Sequence, residues 1–213
     1  KKFPELLDRI NNVRKMRLES SFEPTRDLAI YPTLFRDTQN PDSFIVIPAT
    51  TSERRKYIPF GFFDKEYIPL NSVYIIPNGT LYNFGVLMSE MHMTWVKYTC
   101  GRLKSDYRYS KDIVYNNYPW PKDLSDRNEK SIETKAQQVL DGRAEFPESS
   151  LADLYDPLTM PPKLVKAHQE LDKAVDLCYR PQAFTNENAR IEYLFDLYNQ
   201  YTEPLLSEKK SKK

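Results

Sequence analysis

Apolar positions in the first two dozen residues fall at a helical spacing. Phe3, Leu6, Leu7, Ile10, Val13 and Leu18 approximate a 3.6-residue period. Pro4 suits a first helical turn, and Pro24 is expected to close the segment. The pattern then changes. Between residues 28 and 80 come short β-rich runs: Phe44–Ile47, Tyr57–Phe63 and Val73–Ile76. Prolines 32, 41, 48, 59, 69 and 77 punctuate them. Proline lacks the amide a sheet ladder needs, so several of these runs read as edge strands or strand ends of a small, irregular, mostly antiparallel sheet. After Asn78-Gly79-Thr80 the helical period returns over 81–100, with Leu81, Phe84, Leu87, Met88, Met91, Trp95 and Val96 on one wide face and Gly101 as a natural stop.

From Arg102 to Lys111 long polar and apolar residues alternate, which favours an extended strand or a hairpin, and Ile113-Val114-Tyr115 is a candidate continuation of the sheet. The rear of the chain is helical. A helix over 124–140 carries Ile132, Ala136, Val139 and Leu140 and is expected to close at Gly142. Ser149 or Ser150 can cap a short helix at Leu151–Tyr155. Asp156 to Pro162 forms a rigid connector, and a helix then runs to about Tyr179 with Leu164, His168, Leu171, Val175 and Cys178 on one face. Thr185 is the expected cap of a last helix carrying Ile191, Leu194, Phe195, Tyr198 and Tyr201. The expected class is therefore α+β: a small antiparallel sheet with packed helices, then a small helical bundle. The divisions are a linking helix over 1–24, a mixed part over 25–121, a helical part over 122–206 and a disordered tail over 207–213. Pro119-Trp120-Pro121 is the stiff boundary. A chain that opens on Lys1 and runs at once into a helix is expected to be a piece of a longer polypeptide, with a processed N-terminus as the alternative.

Composition narrows the chemistry. The five glycines, at 61, 79, 85, 101 and 142, never lie closer than six residues apart, which excludes a Rossmann fingerprint or a P-loop within the chain. Cys100 and Cys178 cannot make a disulfide framework or a four-ligand zinc site, and a reducing, cytoplasmic setting follows as the default. No apolar run approaches a membrane span. The net charge is +1, but residues 1–121 hold 17 Lys and Arg against 13 Asp and Glu, and the remainder 14 against 17. A basic front and an acidic rear suggest two different surfaces.

The segment Lys97–Lys111 concentrates the positive charge. Lys97, Arg102, Lys104, Arg108 and Lys111 face a single acid, Asp106, with Tyr98, Tyr107 and Tyr109 interleaved. Such residues can neutralise phosphates and pack on sugars and bases, although a solvated surface strand has the same composition. Arg54-Arg55-Lys56 lies in a loop and carries the same two readings. His92 and His168 sit on apolar faces and read as hydrogen-bonded packing residues, and both cysteines as packing residues. No residue is assigned a catalytic or metal-binding role. Asp156-Pro157-Leu158-Thr159 and Met160-Pro161-Pro162-Lys163 each lack part of an Asn/Asp-Pro-Pro-aromatic motif. Phe84-Gly85-Val86-Leu87 lacks the second glycine of a methyl-donor loop.

Longer blocks carry a resemblance. They are Ser52–Pro59, Phe84–Leu87, His92–Trp95, Cys100–Ser110, Tyr115–Pro121 and Leu151–Pro161. Together they resemble the C-terminal part of the MmeI-like DNA methyltransferases, including fused restriction–modification and YeeA-like proteins. The resemblance implies a target recognition domain over 25–121 and a helical C-terminal domain over 122–206. It implies double-stranded DNA and an upstream methyltransferase domain of the same polypeptide as partners. It also implies that S-adenosylmethionine serves the parent, a site-specific adenine-N6 methyltransferase with or without a fused nuclease, while this piece holds no cofactor and catalyses nothing alone. Lys104, Asp106 and Arg108 match the place where such domains carry base-reading side chains, with Ser72 a further candidate. Arg54, Arg55, Lys97, Arg102, Tyr107, Tyr109 and Lys111 are then candidates for the DNA backbone. A protein-interaction module, or a standalone specificity subunit acting in trans, is the competing reading.

Overall fold

The computed structural model describes residues 3–35 and 41–210, with side chains through Glu203 in the last helix. The chain divides into two compact units between Pro41 and Asp42. In the first, helix α1 (Pro4–Leu18) is followed by a second short helix, α2 (Glu23–Asp27), and one 3-10 turn at Leu28–Ile30. Pro24 opens α2 instead of ending the segment, because a proline in a first turn forfeits no helical bond. The unit is tied by Arg17, whose guanidinium donates to the carbonyls of Leu28 (2.9 Å), Tyr31 (2.7 Å) and Leu34. The Leu28 and Tyr31 carbonyls also accept from the Tyr31 and Leu34 amides, so Arg17 gathers the successive turns that follow α2.

The second unit is built on two three-stranded antiparallel sheets. Strand β1 (Ser43–Pro48) is central in the first, between β3 (Gly61–Asp64) and β4 (Val73–Pro77). Its run Phe44-Ile45-Val46-Ile47 is apolar at consecutive positions, as a strand covered on both faces must be. Ile45 lies opposite Phe62 and Ile76. The second sheet has the order β2-β6-β5, from Thr50–Thr51, Asp106–Arg108 and Gly101–Leu103.

Several expected elements come out differently. The helix expected over 81–100 is two, α3 (Leu81–Leu87) and α4 (Glu90–Thr99). Ser89 makes the break: its hydroxyl donates to the Val86 carbonyl at 2.7 Å and accepts from the His92 amide at 3.3 Å, so it caps a new helix. Ile113-Val114-Tyr115 belongs to a π-helical turn over Lys111–Tyr115, not to a strand; Trp95 Nε1 holds the Val114 carbonyl at 3.0 Å. Helix α5 (Asp126–Ala144) continues through Gly142, which faces Leu164 instead of ending the helix. Ser150 caps α6 (Leu151–Leu154), and α7 spans Pro162–Tyr179. Helix α8 (Glu187–Lys210) is capped by Asn186, whose Oδ1 accepts from the Ala189 amide at 2.9 Å, one residue beyond Thr185. The helix takes in 207–210 of the expected tail; residues 211–213 lie outside the described residues.

One core runs through the whole second unit. Ile45, Ile47 and Phe60 from the sheet side, Phe84, Met91 and Val96 from α3 and α4, and Ile132, Leu164, Leu171, Val175 and Leu194 from the rear helices are all buried in it. Each such side chain contributes about 1.5–3 kcal/mol through burial. At Gly85 a Cβ would lie 2.5 Å from Ile132 Cγ2 and 3.2 Å from Ala136 Cβ, so glycine is what lets α3 rest on α5. The Phe84–Leu87 segment is thus a packed helix. Pro119-Trp120-Pro121 is held inside the unit as well: Tyr179 Oη donates to the Pro119 carbonyl at 3.2 Å and Tyr201 Oη to that of Trp120 at 2.8 Å. Among the described residues no helix is long and apolar enough to cross a membrane.

Candidate nucleic-acid interface

Strands β5 and β6 form a hairpin with a two-residue loop, Lys104-Ser105, between the paired residues Leu103 and Asp106. Such a loop matches strand twist when its first residue is left-handed, and Lys104 has φ 57°. Lys104 is therefore at the tip. An extended strand through Lys104, which would place it on the same face as Asp106, does not form. The two-residue alternation does hold along β6. Tyr107 and Tyr109 turn inward, 5% and 1% exposed, while Asp106 and Arg108 lie on the opposite side, half-buried and exposed.

The inward side is fastened firmly. The Leu87 carbonyl can only accept, so His92 Nδ1 donates to it at 2.9 Å and Nε2 accepts from Tyr109 Oη at 3.1 Å. Burial holds the His92 pKa down to about 3, which keeps the ring neutral in this role. Tyr109 follows Arg108 directly, and its amide donates to the Ala49 carbonyl at 2.9 Å. Ala49 in turn donates to the Ser72 carbonyl at 2.9 Å, and Thr50 pairs with Arg108. The exposed Ser72 is thus tied to Ala49, with that one segment between it and the strand that carries Arg108.

The outward side is sparsely tied. Among the described residues Lys104, Arg108 and Lys111 have no ion-pair partner, and Arg54 is likewise exposed with a free guanidinium. Asp106 Oδ1 accepts from the Glu53 amide at 3.4 Å. Several residues expected on a DNA backbone are engaged within the protein. Tyr109 is sealed in the core, and Tyr107 is buried beneath Arg102, whose guanidinium lies 4.0 Å from the ring centre. Arg102 also donates to the Ser105 carbonyl at 2.7 Å and lies 3.6 Å from the Glu53 carboxylate. Lys97 is paired with Glu187 of α8. Arg55 reaches Thr51 Oγ1 at 3.4 Å and the Ala152 carbonyl at 3.5 Å. Sequence reasoning passed over Glu53; its signal was the one acid beside Arg54-Arg55-Lys56.

Behind this surface lies a buried polar network that sequence reasoning also passed over. Tyr57 Oη donates to Asp172 Oδ2 at 2.7 Å, and Asp172 Oδ1 accepts from the Glu90 amide at 2.7 Å. Tyr57 stacks on His168 at 4.0 Å, and His168 Nε2 is 2.7 Å from Tyr155 Oη, which accepts from Arg143 Nε at 2.8 Å. Burial raises the Asp172 pKa to about 6, with the Tyr57 and Glu90 hydrogen bonds opposing the rise. Burial, then the Arg143 charge, holds His168 neutral well below its ordinary range. His92 and His168 are packing residues, and Cys100 and Cys178 are half-buried free thiols.

Residues 1–122 match the family model described as the MmeI target recognition domain, and residues 124–206 that of the MmeI C-terminal domain. The chain belongs to the MmeI family. Within that family it is 42% identical over 201 residues to DNA methyltransferase A of Bacillus subtilis (strain 168), a match covering 94% of this chain and 23% of the relative. Its fold superposes with a TM-score of 0.85, at 45% identity, on the structure of the type IIL restriction-modification enzyme MmeI in complex with DNA, covering 93% of this chain and 26% of that one. The chain thus spans about a quarter of the length of these MmeI-family relatives.

Proposed function

We propose that the chain reads the sequence of double-stranded DNA as the target-recognition and C-terminal segment of an S-adenosylmethionine-dependent DNA adenine-N6 methyltransferase of a restriction–modification system. The hairpin carries the reading: its inner side is fixed by Tyr107, Tyr109 and His92, its outer side presents Asp106 and Arg108, Lys104 stands at its tip, and Ser72 lies one segment away. Lysine donates to guanine O6 or N7, aspartate accepts from cytosine N4, and arginine donates to guanine. Lys104 at the tip and Asp106 at the first position of β6 complement the two bases of one G·C pair, and Arg108, two residues further on, a neighbouring position. Arg54 and Lys111, exposed and without an ion-pair partner among the described residues, suit phosphate contacts that set register. The upstream domain of the same polypeptide supplies the methyl-donor site and the flipped adenine. Such an enzyme works in the cytoplasm.

The test is made in the full-length protein. The double substitution Lys104→Glu with Asp106→Arg is expected to invert the preferred orientation of one G·C pair, and sequencing of methylated sites reads it directly. An unchanged site with activity retained would show that these residues do not read bases. The isolated chain is expected to bind duplex DNA weakly and with strong salt dependence, because few phosphates are gripped.

A further inference from the structure

Glu53 and Arg102 frame the hairpin, and the role drawn from them rests on the base reading proposed for it above. A two-residue hairpin tip with a lysine in left-handed conformation is not self-supporting, since lysine has no intrinsic preference for positive φ. What surrounds this tip is a set of side-chain ties from one arginine. The Arg102 side chain leaves β5, sits over the Tyr107 ring at 4.0 Å from its centre, and donates to the Ser105 carbonyl at 2.7 Å, one residue past Lys104. Its guanidinium thus spans the loop from within. The Glu53 carboxylate sits 3.6 Å away, and the Glu53 amide donates to Asp106 Oδ1 at 3.4 Å. One residue of the β2–β3 connection therefore touches both arms of the hairpin: the splinting arginine on β5 through its side chain, and the reading carboxylate on β6 through its backbone.

We infer that Glu53 and Arg102 are positioning residues for sequence readout: they hold Asp106 and the Lys104 tip at the angle from which base edges are read, and Arg102 does not contact phosphate. A carboxylate on a free strand end rotates among rotamers, and hydrogen bonds to base edges are lost when the group is displaced by an ångström or so. The Glu53 amide occupies a lone pair of Asp106 Oδ1, leaving Oδ2 for a base. Exposed ion pairs contribute little stability, so the role predicts a loss of fidelity with little loss of folding.

The experiment uses the full-length protein and four variants: Glu53→Gln, Arg102→Gln, the charge exchange Glu53→Arg with Arg102→Glu, and the double hairpin substitution already described. Glu53→Gln and Arg102→Gln are expected to relax discrimination about tenfold at the one base pair that the hairpin substitution inverts, and nowhere else in the site. Thermal stability stays near wild type, and methylation of the cognate site falls by no more than about that tenfold, while mismatches elsewhere in the site are discriminated as before. The charge exchange keeps an ion pair but loses the donor to the Ser105 carbonyl and the cation on the Tyr107 ring, so it is expected to relax discrimination as Arg102→Gln does. The slope of DNA affinity against salt is expected to be unchanged for Arg102→Gln, whereas loss of a phosphate contact would lower it by about one. A sharp wild-type site in Glu53→Gln, together with an altered site in the hairpin variant, would overturn the positioning role and leave the hairpin reading intact. A lowered salt slope in Arg102→Gln, or uniform loss at every position of the site, would also overturn it. A hairpin variant with an unchanged site would remove the reading and this inference together.

Discussion

The two small sheets differ in what gives them shape. The first, β3-β1-β4, is organised by burial: its middle strand is apolar on both faces, and Ile45 and Ile47 are sealed in the core. The second, β2-β6-β5, has strands of two or three residues, and only Thr51 and Tyr107 among them are buried. Its form comes from individual ties: Tyr109 to His92, Arg102 to Ser105, Glu53 to Asp106. A surface of that kind can change its outward residues without disturbing a core, which is what a recognition element needs.

The contrast can be broken hardest from within. Tyr109→Ala removes a ring at the centre of the hairpin's anchorage and should cost about 3–5 kcal/mol in chemical denaturation; a loss below 1 kcal/mol would mean that the hairpin is not fastened to the core. Gly85→Val, which forces side-chain atoms against Ile132 and Ala136, should cost about 3 kcal/mol on the same assay. Asp172 gives a pH-dependent version. Its pKa is raised from 3.8 to about 6, so the folded state binds its proton more tightly than the unfolded chain does. Stability from this group is therefore greatest below about pH 4 and declines as pH rises through 6, by about 1–3 kcal/mol. The difference between wild-type and Asp172→Asn stability curves should carry that slope, and a flat difference would remove the raised pKa. The smallest effect is at the tip. Lys104→Gly relieves a left-handed lysine and should stabilise the chain by about 0.5–1 kcal/mol while discrimination at one base pair is lost. Stability and readout moving together there would refute their separation.

The first sheet was legible in the sequence because a run such as Phe44–Ile47 announces burial by composition alone. The hairpin was legible only as an alternation. Period two identified Tyr107 and Tyr109 as one face and Asp106 and Arg108 as the other, but not which face was wet, because tyrosine serves a core and a DNA backbone equally well. Lys104 was misplaced onto the strand for want of a turn signal: no Asn-Gly or Asp-Gly stands there to mark a left-handed residue. The break at Ser89 was hidden by an unbroken apolar period on both sides. Lys97 and Arg102 counted as free cations because Glu187 and Glu53 lie far from them in sequence, and charge patterning along a chain sees only near neighbours. Long-range pairing of this sort, including Tyr57 with Asp172, has no local signature.

The network between Tyr57 and Asp172 has a consequence for inheritance and engineering. The two family segments meet between residues 122 and 124, yet a cut there separates the tyrosine from its carboxylate, Phe60 from Arg143 and Gly85 from Ile132. A chimaera joined at that point would inherit a charged group with no partner and a core with mismatched halves. If the hairpin reads bases as proposed, the transferable unit of specificity is smaller than a domain: it is the handful of outward positions on a hairpin whose anchors stay behind in the scaffold.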